Sequence, residues 1–476
     1  MARNRHTLQN SFIIGTFEEF VPQDHLVRKL NEFVDWDFIY DICDPLYSNL
    51  GAERIDPVIL FKMIFINIIF GIHSMRKTCE ECQVNLAYRW FLGLSMDEKI
   101  PDHSTFSQNY RRKFKNGSVA AEIFAIVISQ LMEYGVVDPS VVYVDGTHLK
   151  ANANKNKCEN REIQVAAAYF KKELDKDIEQ DREAHGKKAL PSKAEKEEAE
   201  KKEIKVSTSD PDCGYFHKGD KQKCFAYNVN TACDQHGYVL GMSVDPGNVH
   251  DSRAFFHLKS MLDFSYGDSI KKIVADAGYS TPGICHTVKE SGQEMIVPKK
   301  RTASRGRNKY GKHRYKYNEE NDTYVCPEGV VLHYSTTDRE GYRIYSSSGN
   351  SCDCCPSLEK CTSAKNHVKI IATHIWKKDV DEAVARRWDR ENGGFELYSC
   401  RKQTIERDFA DGKRRHGLDY TNYTGYERVY DFTLLTFTGM NLKKLCTYLW
   451  NQREKYAQNT SFVHQNEEVM TAVDLL

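Results

Sequence analysis

Three acidic residues stand in contexts that suit a two-metal site for phosphoryl transfer. Asp145 ends the apolar run Ser140–Val144, and Asp276 ends the run Ile273–Ala275, each of which has the pattern of a buried strand. Glu406 lies in the helical stretch RKQTIERDFADGKRR. A carboxylate at the end of a buried strand loses hydration, so it is kept where a cation compensates it. Two Mg²⁺ ions held by these acids would clamp the attacking and leaving oxygens of an in-line displacement.

Each acid also has an ordinary structural explanation. A single Asp after a strand is commonly a turn residue that bonds neighbouring backbone amides. For Glu406 the alternative is ion pairing along a surface helix. Two matching strand ends, together with an acid on a basic helix, favour one joint site, because helix pairing does not explain the strand-end acids.

The segment from Tyr398 to Lys413 is predicted to be one helix with its charges on one face. At about 100° per residue, Lys402, Glu406 and Lys413 fall within roughly 40° of one another. Tyr398 borders that face. An acid flanked by cations in this way suits a site that holds both metal and DNA phosphate.

The elements around these acids occur in an order that predicts an α/β RNase H-like catalytic core with inserted segments. The order is strand, helical excursion, hairpin, helix, strand, strand and, later, the acid-bearing helix. In such a core the first and fourth strands are neighbours, so Asp145 and Asp276 would meet at adjacent strand ends. We assign residues 119–300 to the first part of the core, with a charged helical hairpin at about 160–206, and residues 376–476 to its C-terminal helical part.

Residues 1–118 are predicted to form an all-helical N-terminal domain that precedes the core. Asp56 and Pro57 supply an N-cap and a first-turn proline to one of its helices. The last helix carries Arg111 and Arg112, so the domain could bind DNA. An ordinary helical domain with a solvated basic face explains the same pattern, and both interpretations stay open.

An insertion at residues 301–375 combines a basic segment with a cysteine-bearing one. The basic segment contains no acid and has tyrosines between its cations, which favours contact with a DNA backbone over a flexible basic loop. The residues predicted to contact phosphate are Arg305, Arg307, Lys309 and Lys312.

The cysteine-bearing segment could hold a structural Zn²⁺. The candidate ligands are Cys326, Cys352, Cys355 and Cys361, because Cys354 is adjacent to Cys355 and would point elsewhere on an extended backbone. Their spacing is not the usual pair of C-x2-C motifs, so reduced thiols remain the alternative.

The composition of the whole chain limits the class of protein. Lys+Arg and Asp+Glu number 67 each, so net charge gives no argument for a nucleic-acid partner and only local patches can. The N-terminus lacks the apolar core of a signal peptide, and the stretch Val58–Ile72 is too short to span a bilayer. We therefore expect a cytoplasmic protein without membrane contact, whose fifteen cysteines are reduced thiols.

The motifs around the three acids resemble those of the DDE transposases of bacterial insertion sequences, in the group with a Tyr-Arg-Glu-Lys signature. The resemblance rests on YVDGTHLKANANK around Asp145, VADAGYS around Asp276, and YSCRKQTIERDFADGK around Glu406. The N-terminal VPQDHLVRKLN and PDHSTFSQ look like the helical domain of such proteins, and CDCCPSLEKCT resembles their cysteine-bearing insertion. Likeness thus extends over almost the whole chain.

This resemblance implies that Asp145, Asp276 and Glu406 bind two Mg²⁺, while Tyr398, Arg401 and Lys413 position DNA phosphates. Four residues rather than three separate Arg401 from Glu406, so either Arg401 or Lys402 could make the phosphate contact. The implied activity is cleavage at the element's terminal inverted repeats and joining of 3′-hydroxyl ends to target DNA.

The implied partners are the double-stranded DNA of the transposon ends and of the target, bound by a homodimer associated with the bacterial nucleoid. A nuclease of the RNase H type without strand transfer and a domesticated DNA-binding protein are the competing classes. The intact set of three acids argues against the second.

Overall fold

The computed structural model of the chain describes residues 14–47, 54–114, 119–164, 169–190, 201–218, 222–300, 310–348 and 351–473. The chain divides into two compact units. One, here called the helical unit, is Met1–Val137 with Asp408–Leu476, and the other, the sheet unit, is Asp138–Arg407.

The helical unit begins with a series of helices that contact one another in pairs. Its N-terminal helices are α1 (Phe17–Phe20), α2 (Leu26–Phe33), α3 (Phe38–Cys43), α4 (Pro57–Ile69), α5 (Met75–Val84), α6 (Leu86–Leu92), α7 (His103–Asn109) and α8 (Val119–Glu133). As predicted, Asp56 caps α4, with its carboxylate accepting from the Val58 amide at 2.7 Å and Pro57 in the first turn. Because α4 buries most of its apolar side chains, it forms the centre of this unit.

The sheet unit contains a mixed sheet, as its alternating strand and helix patterns predict. Its strands are β1 (Val141–Lys150), β4 (Gly214–Lys218), β5 (Gln222–Cys233), β6 (Val239–Pro246), β7 (Lys272–Val274) and β8 (Glu294–Ile296), and its order is β4-β5-β1-β7-β8 with β6 on β5. The predicted hairpin is β5 and β6, which are antiparallel. β1 and β7, the first and fourth strands of the predicted core, are parallel neighbours. This confirms the prediction that these two strands are adjacent. Helix α10 (Asp251–Tyr266) connects β6 to β7, and α11 (Pro282–Glu290) connects β7 to β8.

The described residues do not form the predicted helical hairpin at about 160–206. Among them α9 (Lys171–Ala184) is helical, whereas β2 (Cys158–Gln164) and β3 (Lys201–Ser207) form an antiparallel pair. Residues 165–168 and 191–200, which belong to the same prediction, lie outside the described residues. Mixed charges at helical spacing fit α9, but a charged segment such as β3 becomes a strand where a partner strand satisfies its backbone.

The insertion forms a second, separate sheet. Its five antiparallel strands are β9 (Lys316–Asn318), β10 (Thr323–Val325), β11 (Val331–Thr337), β12 (Tyr342–Ser346) and β13 (Ile370–His374), with the short helix α12 (Leu358–Cys361) between the last two. Buried tyrosines and aliphatic residues fill its core. Helix α9 packs on this sheet, where Arg182 donates to the Thr337 carbonyl at 2.7 Å and Asp181 accepts from Arg343 Nε at 2.8 Å.

The C-terminal helical part, predicted to begin at residue 376 and to belong wholly to the core, is divided between the two units. Helices α13 (Lys377–Arg386) and α14 (Gly394–Cys400) belong to the sheet unit, and α15 (Ile405–Arg415) contains the limit between the two units. Helix α16 (Tyr426–Val473) packs in the helical unit against α2, α4 and α8. The residues from 408 onward, and α8, therefore belong with the N-terminal helices rather than with the core. Within the described parts of the chain, no helix combines the length and apolarity that crossing a bilayer requires.

Candidate active site

Asp145 and Asp276 lie at matching positions along two neighbouring parallel strands, Asp145 within β1 and Asp276 just after the end of β7. Tyr143 pairs with Val274, and each acid follows two residues later. Asp145 is not at a strand end as predicted, because β1 continues to Lys150 through its pairing with β5. The neighbouring strand β7 ends at Val274, and the turn that follows it carries Asp276. Asp145 in β1 is therefore beside this turn.

Burial dominates the electrostatics of Asp145. Its side chain is 22% exposed, and burial raises the pKa of its carboxyl to about 6. The Arg401 guanidinium and the Gly146 amide oppose this rise, whereas Asp276 and Asp251 add to it. A carboxyl in such surroundings is held ionised best by a cation.

Asp276 is held by the tight turn that follows β7. Its carboxylate accepts from the Gly278 amide at 2.7 Å and caps the short helical turn Ala277–Tyr279. The Tyr279 hydroxyl is fully buried, and its pKa is raised by burial and then by Asp251, Asp145 and Asp276. Acids from three separate segments therefore lie close enough to this buried hydroxyl to disfavour its ionisation.

Arg401 lies between Asp145 and Glu406. Its Nη2 is 2.7 Å from Asp145 Oδ2, and its Nη1 is 4.0 Å from Glu406 Oε1. The Arg401 side chain is 6% exposed, whereas that of Glu406 is 48% exposed. The Nε of Arg401 has no hydrogen-bond partner among the described residues. One guanidinium thus brings the first and third acids to the same place.

The prediction of one continuous helix from Tyr398 to Lys413 is wrong. Helix α14 ends at Cys400 and α15 begins at Ile405, with a turn between them. The Thr404 hydroxyl bonds the Cys400 carbonyl at 3.0 Å, and the Glu406 amide donates to the Arg401 carbonyl at 3.2 Å. This hydrogen bond joins residues five positions apart, so it closes a wider turn than the bond of an α-helix. The wider turn accommodates the additional residue between Arg401 and Glu406. The helical-wheel placement of Lys402 therefore fails, and Arg401 is the cation that faces the acids.

The other predicted DNA contacts lie at different places. Tyr398 has the Arg387 guanidinium 4.3 Å from its ring centre and that of Arg401 at 5.9 Å. Lys402 is exposed. Lys413 lies in the part of α15 that belongs to the helical unit.

In the insertion, the predicted DNA contact Lys312 forms hydrogen bonds within the sheet. Its ammonium donates to the Ala372 carbonyl at 2.6 Å and to the Thr373 hydroxyl at 2.7 Å, and burial lowers its pKa to about 8. The predicted partners Arg305, Arg307 and Lys309 lie outside the described residues.

The four predicted zinc ligands line one small cavity of about 10 Å³. Their thiols have other partners: Cys361 is 2.9 Å from the Tyr315 hydroxyl, Cys352 is 3.4 Å from the Ser347 hydroxyl, and Cys326 accepts from the Val330 amide at 3.2 Å. Cys355 lines the same cavity.

In the described part of the chain, no three His, Cys, Asp or Glu side chains stand in a metal-holding arrangement. For the acids the reason is visible, since Arg401 occupies the space between Asp145 and Glu406. The donor set still fits Mg²⁺, which prefers carboxylate oxygens. The buried Asp145 carboxyl, whose only described cationic partner is a guanidinium, is the group that such an ion would stabilise.

Sequence reasoning missed Asp251, which begins α10 and contributes to the electrostatics of Asp145. The stretch HDSRAFFHLKSMLDF showed only a helix, and an Asp in a first turn is ordinary there. Its position after the β6 strand was the available signal.

Two family models match the chain. Residues 15–112 match one described as a transposase domain (DUF772), and residues 325–446 match one described as a transposase DDE domain. Glu406 lies in the second range, whereas Asp145 and Asp276 lie outside both.

The comparisons with individual proteins add little. No sequence of a curated protein matches the chain. One solved structure, the Mos1 mariner paired end complex with Mn, matches at 10% identity over 55% of this chain and 65% of that chain, less than two thirds of its length. Its TM-score of 0.15 is too low to carry an argument.

Proposed function

Because this chain is a DDE transposase of an insertion sequence, we propose that it cleaves double-stranded DNA at the element's terminal inverted repeats and joins the 3′-hydroxyl ends to target DNA. The observation that carries the proposal is the position of Arg401 between Asp145 and Glu406, with Asp276 just after the end of the neighbouring strand β7. A core of the RNase H type fits the mixed sheet and its strand order.

Asp145, Asp276 and Glu406 would hold two Mg²⁺ ions. When bound, such ions supply Lewis-acid stabilisation of the attacking and leaving oxygens. Asp145 would exchange the Arg401 guanidinium for metal, and the released guanidinium would be available to a DNA phosphate. The unpartnered Nε of Arg401 supports this role, since a buried donor without an acceptor costs free energy that a phosphate oxygen would recover.

The remaining cations would position the DNA. Tyr398, Lys402 and Lys413 are proposed to contact its backbone near the cleaved bond, as the Tyr-Arg-Glu-Lys signature suggests. The basic segment with Arg305, Arg307 and Lys309 would add contacts that do not depend on base sequence. We propose that a homodimer holds the two transposon ends.

We also propose a structural Zn²⁺ for Cys326, Cys352, Cys355 and Cys361. The cavity that all four residues line supports the proposal, because thiolates are the usual ligands of a structural zinc. The zinc would stabilise the insertion sheet and take no part in the chemistry.

The experiment that tests the function uses the purified full-length chain, its element's end DNA and a target plasmid, with Mg²⁺ or EDTA. We expect Mg²⁺-dependent nicks at the element boundary and joined products that are absent in EDTA. Cleavage without joined products would favour a nuclease. DNA binding without cleavage by the unmodified chain would favour a domesticated DNA-binding protein.

A further inference from the structure

Three oxygen atoms converge on the space above Gly146, the residue after Asp145. Strand β5 places Asn230 opposite Gly146 and Asn228 opposite His148, so the two asparagines face the same side of the sheet. A Cβ at Gly146 would lie 3.0 Å from Asp251 Oδ1, 3.2 Å from Asn230 Oδ1 and 3.3 Å from Asn228 Oδ1. A larger residue at position 146 would place its side chain against these oxygens, so glycine keeps the space open to polar groups.

A buried amide holds Asp251 at this place. Asn228 Nδ2 donates to Asp251 Oδ1 at 2.8 Å and to the Val249 carbonyl at 3.1 Å, which fixes the orientation of the amide. Asn228 and Asn230 are both fully buried. Yet Asn228 Oδ1 and Asn230 Nδ2 lack partners among the described residues. A buried polar atom without a partner costs about 1–3 kcal/mol, so the two atoms indicate a ligand or ordered water at this spot.

The charge of Asp251 also has no cationic partner among the described residues. Other acids near α10 are paired, since Asp263 is 2.6 Å from Lys259 and Asp245 is 3.0 Å from His257. For Asp251, no cation stands within ion-pair distance in the described parts of the chain, and the helix N-terminus compensates only part of a charge. Asp251 lies close enough to Asp145 to oppose its ionisation.

We infer that Asp251 is a fourth carboxylate of the divalent-metal site and that Asn228 holds it in place. The inference rests on the proposed function, because it adds a residue to the site of Asp145, Asp276 and Glu406. It also balances charge: four carboxylates and one phosphodiester are neutralised by Arg401 and two divalent cations. Without metal, the Arg401 guanidinium is the cation that the described residues place beside Asp145 and Glu406. One positive charge among four acids leaves the site strongly negative.

The test measures Mn²⁺ binding to the full-length chain by electron paramagnetic resonance, without DNA. We expect Asp251→Asn to weaken Mn²⁺ binding at this site roughly tenfold or more. Asp251→Ser should do the same, since Ser is tolerated in a first helical turn. The matched control is Asp268→Asn, which removes one exposed carboxylate from the same unit and should bind Mn²⁺ as the unmodified chain does. Far-UV circular dichroism and urea unfolding select the folded variants.

Comparison with Asp145→Asn separates the inference from the function on which it rests. Loss of Mn²⁺ binding in the Asp145 and Asp251 variants, with the control unchanged, supports both. Loss only in Asp145→Asn overturns the role of Asp251 and leaves the proposed function standing. Unchanged binding in both variants overturns the metal site itself, and the role of Asp251 with it.

Discussion

Replacement of Asp145 by Asn should stabilise the metal-free protein while it abolishes cleavage. The pKa of the buried Asp145 carboxyl is raised from an ordinary 3.8 to about 6, chiefly by burial. The amide has the shape of the protonated carboxyl and no charge, so it removes the cost of ionising this group in the folded state. The attraction between Arg401 and the ionised Asp145 is one of the contributions to this pKa. The stability change worked out from the pKa therefore already contains the loss of that ion pair.

The magnitude follows from the size of the pKa change. At about 1.4 kcal/mol per pKa unit, the variant should gain up to about 3 kcal/mol of unfolding free energy at pH 7.5. The sign is set by linkage: the folded protein holds this proton more tightly than the unfolded chain does. The stability from protonated Asp145 is complete below about pH 4 and is lost as pH rises to about 6.

Urea unfolding from pH 4 to pH 8 in EDTA measures this effect. The unmodified chain and Asp145→Asn should be equally stable near pH 4 and should diverge towards pH 7.5. Addition of Mg²⁺ should stabilise the unmodified chain and leave the variant nearly unchanged, because ligand binding to the folded state adds stability. Asp268→Asn is again the matched control. A variant that is less stable at pH 7.5, or a difference independent of pH, would refute the reasoning.

Three further outcomes are expected. Asp276→Ala and Glu406→Ala should each abolish cleavage and leave DNA binding, measured by gel shift, nearly intact; residual cleavage by Glu406→Ala would remove Glu406 from the site. Neutralising Arg305, Arg307 and Lys309 together should flatten the dependence of DNA affinity on salt by roughly 0.9 in log–log slope per lost phosphate contact, and an unchanged slope would mean that this segment does not bind DNA. Elemental analysis of protein purified without chelator should find about one zinc per chain, and full cleavage activity without zinc would show the four cysteines to be ordinary thiols.

The sequence by itself determined the features that depend on local patterns. Apolar runs and turn residues placed Asp145 and Asp276 beside neighbouring strands, since strand order follows from the succession of elements. The Asp56 cap of α4 and the β5–β6 hairpin were predictable for the same reason, because caps and hairpins are made by residues close in the chain.

Only the tertiary structure decided which side chains meet at the site. Thr404 and the wide turn at Arg401 interrupt the expected helix, so Arg401 rather than Lys402 faces the acids. Asp251 joins them because the start of α10 lies over Gly146 of β1, a contact between residues 105 positions apart in the chain. Helical and strand periodicities assume a regular backbone and neighbours close in sequence. A single extra residue, or a partner strand from a distant segment, therefore changes which side chains lie together without altering the local pattern.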